Sequence, residues 1–590
     1  MEQINGFLCK ICTNEEVFSF ELFDDGYSVH NYVDDKLRIC VQTSRNDRNV
    51  AEWLASEYKK ADGDFVPSRN LPGSFVIIDS SKKVFFIGRD YTQASHIYIF
   101  QKDDTYYIST DLHYYVNICK TLDAQAIDFM IARFIVGPCF PVFKDVEPLM
   151  PGRYMCINSI GEKYEKEFWR IRKVEVPDDY NEAVSRYGEL LMDSIYRNIS
   201  EDRAAVFLSG GSDSAAVVGA LYKLGVKDVC AVHMENGING CEGDDVKLLQ
   251  KAYNFKLDFV KPFNQDKEKW EQYVDKSILN GFINSVYLSY PTYQLMGNHF
   301  RNLNLDGTTV FNGECCVLDL GFSESSDKSR GLRRWLYLQG GKKLSNSVKL
   351  APGFLKVNWD KHRRPFLKKD SIGDYFYLSN VVLRTLLYSI GRPSEYYSGL
   401  KLGFRGLPGA YLGNSLLPHD YKTNINERVE SFFDYFAKGL SSNEWKENLI
   451  TMSLSWYSEA SNFTMPNNVA SIGNLKMCFP FSSTELMDFA ASVPTEWSID
   501  KKIQKDACKY VYDMPDQVAY RLKNHKESVS YFDIVYGELK EKMVDTILNT
   551  DFGPLNEGIK KLLSYKRDDQ QVFNLYGYAL WIRHYGLTVE

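Results

Sequence analysis

Apolar and polar positions alternate in short runs through the first third of the chain and in longer, helical steps beyond it. Leu71-Pro72-Gly73-Ser74 leads into the apolar run 75–78; a polar stretch at 79–83 follows, then 84–87, which predicts strand, turn, strand. Residues 97–100 and 106–109, flanking the polar 101–104, predict a second pair. From Asp178 the spacing changes. Val184, Tyr187, Leu191, Ile195 and Ile199 form one helical stripe, and Asp178 or Asp179, just after Pro177, supplies its cap. The change predicts a boundary near residue 175 and two domains, 1–175 and 176–590.

Beyond the boundary the pattern alternates. The short apolar run 204–208 reads as a strand, and the segment after Asp213, carrying Ala215, Val218, Leu221 and Leu224, as a helix. Residues 229–234 and 244–254 repeat the pair, and 308–311 predicts a third strand. Such alternation implies parallel βαβ units with helices on both faces, hence an α/β fold with a doubly wound parallel sheet. From about residue 370 the chain is helix-leaning, punctuated by Gly and Pro clusters such as 403–413.

Composition narrows the class. The 590 residues leave room for several domains, and 44% hydrophobic with 25% charged residues excludes disorder. The net charge of −7 gives no case for a nucleic-acid coat. No run approaches the ~20 apolar residues that span a bilayer, so no membrane association is expected. The first residues, Met1 to Asn5, lack a charged n-region and an apolar h-region, so no secretory signal is visible. Twelve cysteines are too sparse for a disulfide scaffold. A reduced, cytoplasmic protein is the expectation.

The sharpest chemical signal is Leu208-Ser209-Gly210-Gly211-Ser212-Asp213-Ser214, directly after a strand and opening a helix. Two glycines let backbone N–H groups face an anion, and a helix N-terminus adds its positive end. Two serine hydroxyls can donate to phosphate oxygens, and Asp213 offers a hard carboxylate for Mg²⁺. The GxxxxGK[ST] and GxGxxG spacings are absent, which disfavours a P-loop NTPase and a dinucleotide site. A turn that only starts a helix is the bland alternative, and the strand–turn–helix context outweighs it.

SGGSDS resembles the SGGxDS pyrophosphate loop of the asparagine synthetase-like ATP pyrophosphatases, a family that includes asparagine, β-lactam and lasso-peptide macrolactam synthetases. The resemblance continues in order along the chain. LPGSFVIIDSSKKVFFIGRD (71–90), YYISTDLHYY (106–115) and FKDVEPLMPGRY (143–154) resemble the family's glutaminase-type strands. Residues 229–234, followed by Asp245-Val246-Lys247, resemble the next strand and helix, and YRLKNHKES (520–528) resembles the segment carrying the catalytic lysine. The resemblance implies an N-terminal degenerate glutaminase-type (Ntn-like) αββα sandwich and a C-terminal ATP pyrophosphatase domain. It implies ATP and Mg²⁺ as cofactors, with Ser209, Gly210, Gly211, Asp213 and Ser214 holding the triphosphate and metal. Backbone groups of Leu208, Val232 and Gly313 would frame the adenine. Lys523 would stabilise negative charge as a carboxylate is adenylated and an amine then displaces AMP.

Two departures shape the expectation. Glutamine-using members begin with Cys after the initiator Met, and position 2 here is Glu2, which cannot replace the thiol nucleophile. Cys9 and Cys12 fall inside the presumed first strand, so the resemblance predicts no glutaminase activity, and the amine belongs to the substrate itself. The second departure is Asn312-Gly313-Glu314-Cys315-Cys316-Val317-Leu318-Asp319, where asparagine synthetases have GEGSDE. Glu314 matches and is the candidate base for the amine. Val317 stands where an aspartate usually gives a second Mg²⁺ contact, and Asp319 is the candidate substitute. No His or Cys partner spacing supports zinc at Cys315–Cys316, and Cys9–Cys12 is a lone CxxC, so both pairs are expected to be buried apolar thiols.

Residues 323–370 carry 13 Lys and Arg against 4 Asp and Glu, a local net charge of +9. This is either a solvated excursion or a docking surface for an acidic peptide or partner protein, such as a precursor peptide, a protease or a leader-binding protein. The favoured expectation is ATP-dependent macrolactam closure of a precursor peptide in natural-product (antibiotic) biosynthesis, as in lasso-peptide synthetases. A β-lactam-type small-molecule cyclase is second and an ammonia-using asparagine synthetase third. A catalytically degenerate ATP-binding scaffold is the alternative from another class. An RNA-modifying ATP pyrophosphatase is disfavoured by the glutaminase-like first domain.

Overall fold

The structure, a computed structural model, describes residues 6–13, 18–25, 28–46, 48–61, 65–91, 96–133, 140–200, 202–235, 242–260, 267–279, 290–319, 416–418, 428, 447, 450–451, 454–455, 461–498, 501–520, 531–565 and 569–590. The first elements are β1 (Gly6–Thr13), β2 (Phe18–Asp25), β3 (Val29–Val33), β4 (Leu37–Gln42) and helix α1 (Val50–Lys60). Then come β5 (Ser74–Asp79), β6 (Val84–Arg89), β7 (Tyr98–Lys102), β8 (Thr105–Ser109), β9 (Thr121–Leu122) and α2 (Ala124–Arg133). Strands β10 (Val146–Pro148), β11 (Arg153–Asn158) and β12 (Lys163–Glu167) complete this part.

β5–β6 and β7–β8 are the two strand pairs read from the sequence, and both are antiparallel. Asp79 sets the first turn. Its Oδ1 accepts from the N–H groups of Ser81 (2.9 Å) and Lys82 (3.0 Å), and Lys83 then takes a left-handed φ of 53°. The strands assort into antiparallel sheets of order β10-β7-β8-β1-β2 and β12-β11-β6-β5-β4-β3. Alternation assigns the faces. Phe7, Cys9 and Ile11 meet Val76, Ile78, Phe85 and Ile87 in a core between the sheets. The opposite face of the second sheet, with Ile39, Val41, Phe75 and Ile77, packs on α1.

Downstream lie α3 (Tyr180–Tyr196), β13 (Arg203–Phe207), α4 (Ser212–Lys223), β14 (Asp228–Met234), α5 (Glu242–Tyr253) and β15 (Lys256–Val260). Next are α6 (Lys267–Leu279), α7 (Tyr290–Asn302), β16 (Thr309–Phe311), α8 (Ser461–Ile472) and β17 (Lys476–Cys478). The predicted cap of α3 is Asp179, whose side chain accepts from the N–H groups of Asn181 and Glu182. Val184, Tyr187, Leu191 and Ile195 are buried on its inner stripe, whereas Ile199 lies past the helix end and packs at the margin of the same core.

β13 to β17 form one parallel sheet of order β15-β14-β13-β16-β17. Ala204 and Val206 face α3 and α4, while Ala205 and Phe207 face α7 and α8. The sheet is therefore covered on both sides, as the strand–helix alternation implies.

The last elements are α9 (Thr484–Ser492), α10 (Thr495–Ser498), α11 (Lys502–Tyr510), α12 (Asp516–Ala519), α13 (Tyr531–Leu548), α14 (Asn556–Tyr565), α15 (Asp569–Tyr585) and β18 (Thr588–Val589). α13, α14 and α15 pack with α2 against Tyr98 and Phe100, the outer face of the first sheet. β18 pairs in parallel with β9, and Lys144 meets Glu590 at 2.6 Å. One outer layer of the N-terminal sandwich is thus largely supplied from beyond residue 530. Elsewhere the sandwich and the parallel-sheet unit are joined by Arg69, whose two Nη atoms hold the buried Asp488 carboxylate at 2.6 and 2.7 Å. Arg172 N–H donates to the same carboxylate at 2.9 Å.

Candidate functional site

In the parallel sheet the chain runs from β13 to β14 on one side, while β16 flanks β13 on the other. The carboxyl ends of β13 and β16 therefore border a switch point, the place where open α/β sheets form a crevice. The SGGSDS turn leaves β13 at that position. Gly211 is the N-cap of α4 in extended backbone (φ −86°, ψ 156°), and no side chain caps the helix. The N–H groups opening α4, together with its positive end, form an anion-receptive surface.

The two serines brace the turn. Ser214 Oγ receives the Ser209 N–H at 3.2 Å and donates to the Ser209 carbonyl at 3.0 Å, while Ser209 Oγ receives the Gly211 N–H at 3.2 Å. From the other side, the segment after β16 lies against the first turn of α4. A Cβ on Gly313 would come within 2.7 Å of Ser214 N and 3.0 Å of the Asp213 carbonyl carbon, so only glycine permits this approach.

Asp213, in the first turn of α4, reaches α11. Lys501 Nζ lies 2.6 Å from its Oδ2, and Gln504 Nε2 donates to its Oδ1 at 2.8 Å. Lys501 precedes α11 with left-handed backbone (φ 57°, ψ 36°), a conformation lysine rarely adopts and one that concentrates at functional sites. Its side chain is only 12% exposed. Gln504 Oε1 in turn accepts from Tyr187 Oη at 3.2 Å and from Cys316 Sγ at 3.0 Å. The sequence reading missed Lys501, Gln504 and Tyr187 as site residues. They are far from the turn in sequence, and no local spacing links them to it.

The remaining candidates distribute as follows. Leu208 spends its N–H on the Val232 carbonyl (3.0 Å) and its carbonyl accepts from His233 Nδ1 (2.8 Å), so these backbone groups brace β13 against β14. Glu314 is exposed beside the turn, with its N–H bonded to Asn312 Oδ1 at 2.8 Å. Val317 is buried in the core, and Asp319 closes the short 3-10 turn Val317–Asp319. Cys9 is fully buried, as expected, and burial pushes its thiol well up, whereas Cys12, near the end of β1, is half-buried rather than buried. Cys315 and Cys316 are half-buried rather than buried, because they sit at the edge of the core, where Cys316 Sγ reaches Gln504 of α11. Burial, with smaller effects from Cys316 and Glu314, pushes the Cys315 thiol up, and its φ is 73°. Lys523 and the basic region 323–370 lie outside the described residues.

A cleft opens beside the turn, lined by Ser209, Gly211 and Ser212, by Asp245 and Leu249 of α5, and by Val518 of α12. A second, polar cleft between the sandwich and α8, lined by Gln42, His96, Thr110, Thr464, Asn467 and Asn468, shares no residue with it. Among the described residues no group of three or more His, Cys, Asp and Glu could hold a metal ion, and no helix is long and apolar enough to cross a membrane. A single carboxylate beside a phosphate-receptive turn still fits Mg²⁺, which usually takes one or two carboxylates plus phosphate oxygens and waters.

No family model matches the chain, and no curated protein matches it. Among solved structures, the allosteric regulatory enzyme of purine biosynthesis is similar at 11% identity and a TM-score of 0.19, over 44% of this chain and 75% of that one. Glutamine phosphoribosylpyrophosphate amidotransferase from B. subtilis is similar at 10% identity and a TM-score of 0.18, over 44% of this chain and 85% of that one. At such TM-scores these likenesses carry no argument about this chain's chemistry.

Proposed function

We propose that this chain is an ATP-dependent carbon–nitrogen ligase that adenylates a carboxylate and closes an amide, with macrolactam closure of a precursor peptide as the favoured reaction. One observation carries the reading. An uncapped helix N-terminus after a glycine turn, a carboxylate, and the lysine that precedes a remote helix converge at the switch point of a parallel sheet.

In this reading the N–H groups of the turn and of the start of α4 bind the pyrophosphate portion of ATP. Asp213 would hold Mg²⁺, which when bound neutralises charge on the departing pyrophosphate. A substrate carboxylate oxygen attacks the α-phosphorus, the bond to the bridging oxygen breaks, and pyrophosphate leaves. The substrate amine then attacks the acyl carbon, the bond to AMP breaks, and the amine proton passes to a base, the role given to Glu314. Lys501 supplies the fixed cation beside the phosphates. A preorganised donor of this kind is typically worth about 2.7–4 kcal/mol. Lys523 keeps its role from the family resemblance, as does the 323–370 region as docking surface for an acidic peptide or its partner protein.

The buried Val317 favours a second reading, a nucleotide-binding protein without turnover, because it stands where the resemblance calls for a metal-binding aspartate. ATP–pyrophosphate isotope exchange separates the two. Exchange that requires a carboxylate substrate and disappears in Asp213→Ala is the expected result. Tight binding of Mg·ATP with no exchange for any peptide or amino acid tried overturns the ligase reading.

A further inference from the structure

Gln504 is fully buried, and three hydrogen bonds fix which way its amide points. A carboxylate can only accept, so the side of the amide facing Asp213 Oδ1 must be the NH₂. The carbonyl then faces Tyr187 Oη and Cys316 Sγ, both of which have a hydrogen to give. Burial holds the Tyr187 hydroxyl protonated, with Cys316, Tyr512 and Asp213 adding to the effect, so that donor persists across the working pH range. The flipped amide would set its oxygen against a carboxylate and its NH₂ against two groups already serving as donors. Gln504 and Lys501 thus take one Asp213 oxygen each, which sets the rotation of the carboxylate about its own axis.

We propose that Gln504 is a positioning residue. Oriented by Tyr187 and Cys316, it holds the Asp213 carboxylate in the orientation that receives a magnesium-bound pyrophosphate group. This rests on the reading of the SGGSDS turn as a pyrophosphate site. Groups that orient a metal-binding carboxylate from behind typically change metal affinity by about 10–100-fold when lost.

The test is equilibrium binding of inorganic pyrophosphate to the full-length chain at saturating Mg²⁺, followed by calorimetric titration. Gln504→Met, similar in length and unable to donate, is expected to weaken binding by about 10–100-fold. Tyr187→Phe removes one of the two groups that orient the amide, and its loss is expected to be smaller. The magnesium dependence supplies a readout that packing alone would not move: the Mg²⁺ concentration that half-supports pyrophosphate binding should rise by about 10–100-fold in Gln504→Met. Wild-type affinity in Gln504→Met, or a loss of affinity with an unchanged magnesium dependence, overturns the positioning role and leaves the site reading standing. A wild-type chain that binds no pyrophosphate overturns both.

Discussion

The ammonium of Lys501 lies 2.6 Å from Asp213 Oδ2, although 288 residues separate the two, and Lys501 holds left-handed backbone at the start of α11. Lysine rarely takes that backbone conformation, and this side chain is only 12% exposed. The arrangement makes sense if the lysine serves charge that arrives with a ligand, since Asp213 alone would repel phosphate. Lys501→Met is expected to lower ATP–pyrophosphate exchange by about 10²–10³-fold, the usual loss when a preorganised donor is removed. Exchange at the wild-type rate would sink the assignment.

Gly313 tests the same site from its other wall. An added Cβ meets the backbone of Ser214 and Asp213, which cannot swing aside as a side chain would. Gly313→Ala is therefore expected to displace the first turn of α4. A misplacement near 1 Å can cost on the order of 10²-fold in turnover. Pyrophosphate binding and exchange, measured on a variant whose far-ultraviolet spectrum matches the wild type, decide the point. Unchanged values for both would mean that the loop after β16 has room to retreat.

Between the sandwich and the parallel-sheet unit, Arg69 is the counter-ion of a carboxylate that is only 3% exposed. Arg69→Ala leaves Asp488 buried and uncompensated, which typically costs about 3–5 kcal/mol. Urea unfolding should show that loss, and the double variant Arg69→Met/Asp488→Leu should recover part of it. A loss within experimental error would mean that water reaches Asp488 once the guanidinium is gone.

Acid should weaken the β5–β6 turn. Burial pushes the Asp79 carboxyl up, but hydrogen bonds from the Ser81 hydroxyl, the Lys82 N–H, the Tyr58 hydroxyl and the Ser81 N–H outweigh it and hold the group below its ordinary value. A carboxyl lowered in the folded state contributes stability above its unfolded value, ~3.9, and that contribution is lost as pH falls through the folded value. Stability should therefore decline below about pH 4, and Asp79→Asn should flatten that limb. Parallel acid limbs for the two proteins would place the sensitivity elsewhere.

Much of this architecture was legible where the signal is local. The hairpins at β5–β6 and β7–β8, the Asp179 cap and the turn from β13 into α4 each follow from a few neighbouring residues. β17 was not legible, because Lys476–Cys478 is too short for a period to register. The site divides in the same way. SGGSDS announces itself through glycines and a strand–helix junction, whereas Lys501 and Gln504 are ordinary members of a polar helix start. Their roles exist only because α11 packs on α3 and α4. The expectation for Cys315 and Cys316 failed for a related reason: an apolar neighbourhood in sequence does not reveal a position at the rim of a core.

The layer of helices α13, α14 and α15 over Tyr98 and Phe100 has a consequence for the order in which the protein can be made. Lys144 and its partner Glu590 are 446 residues apart, which a ribosome covers in roughly 20–90 s. Through that interval the emerging sandwich can close the seam between its two sheets but not its outer aromatic face. The nascent chain is therefore expected to keep one greasy side exposed until the last helices emerge. A chaperone that recognises aromatic surface would find its substrate there, and stalling translation before residue 531 would yield chains it retains.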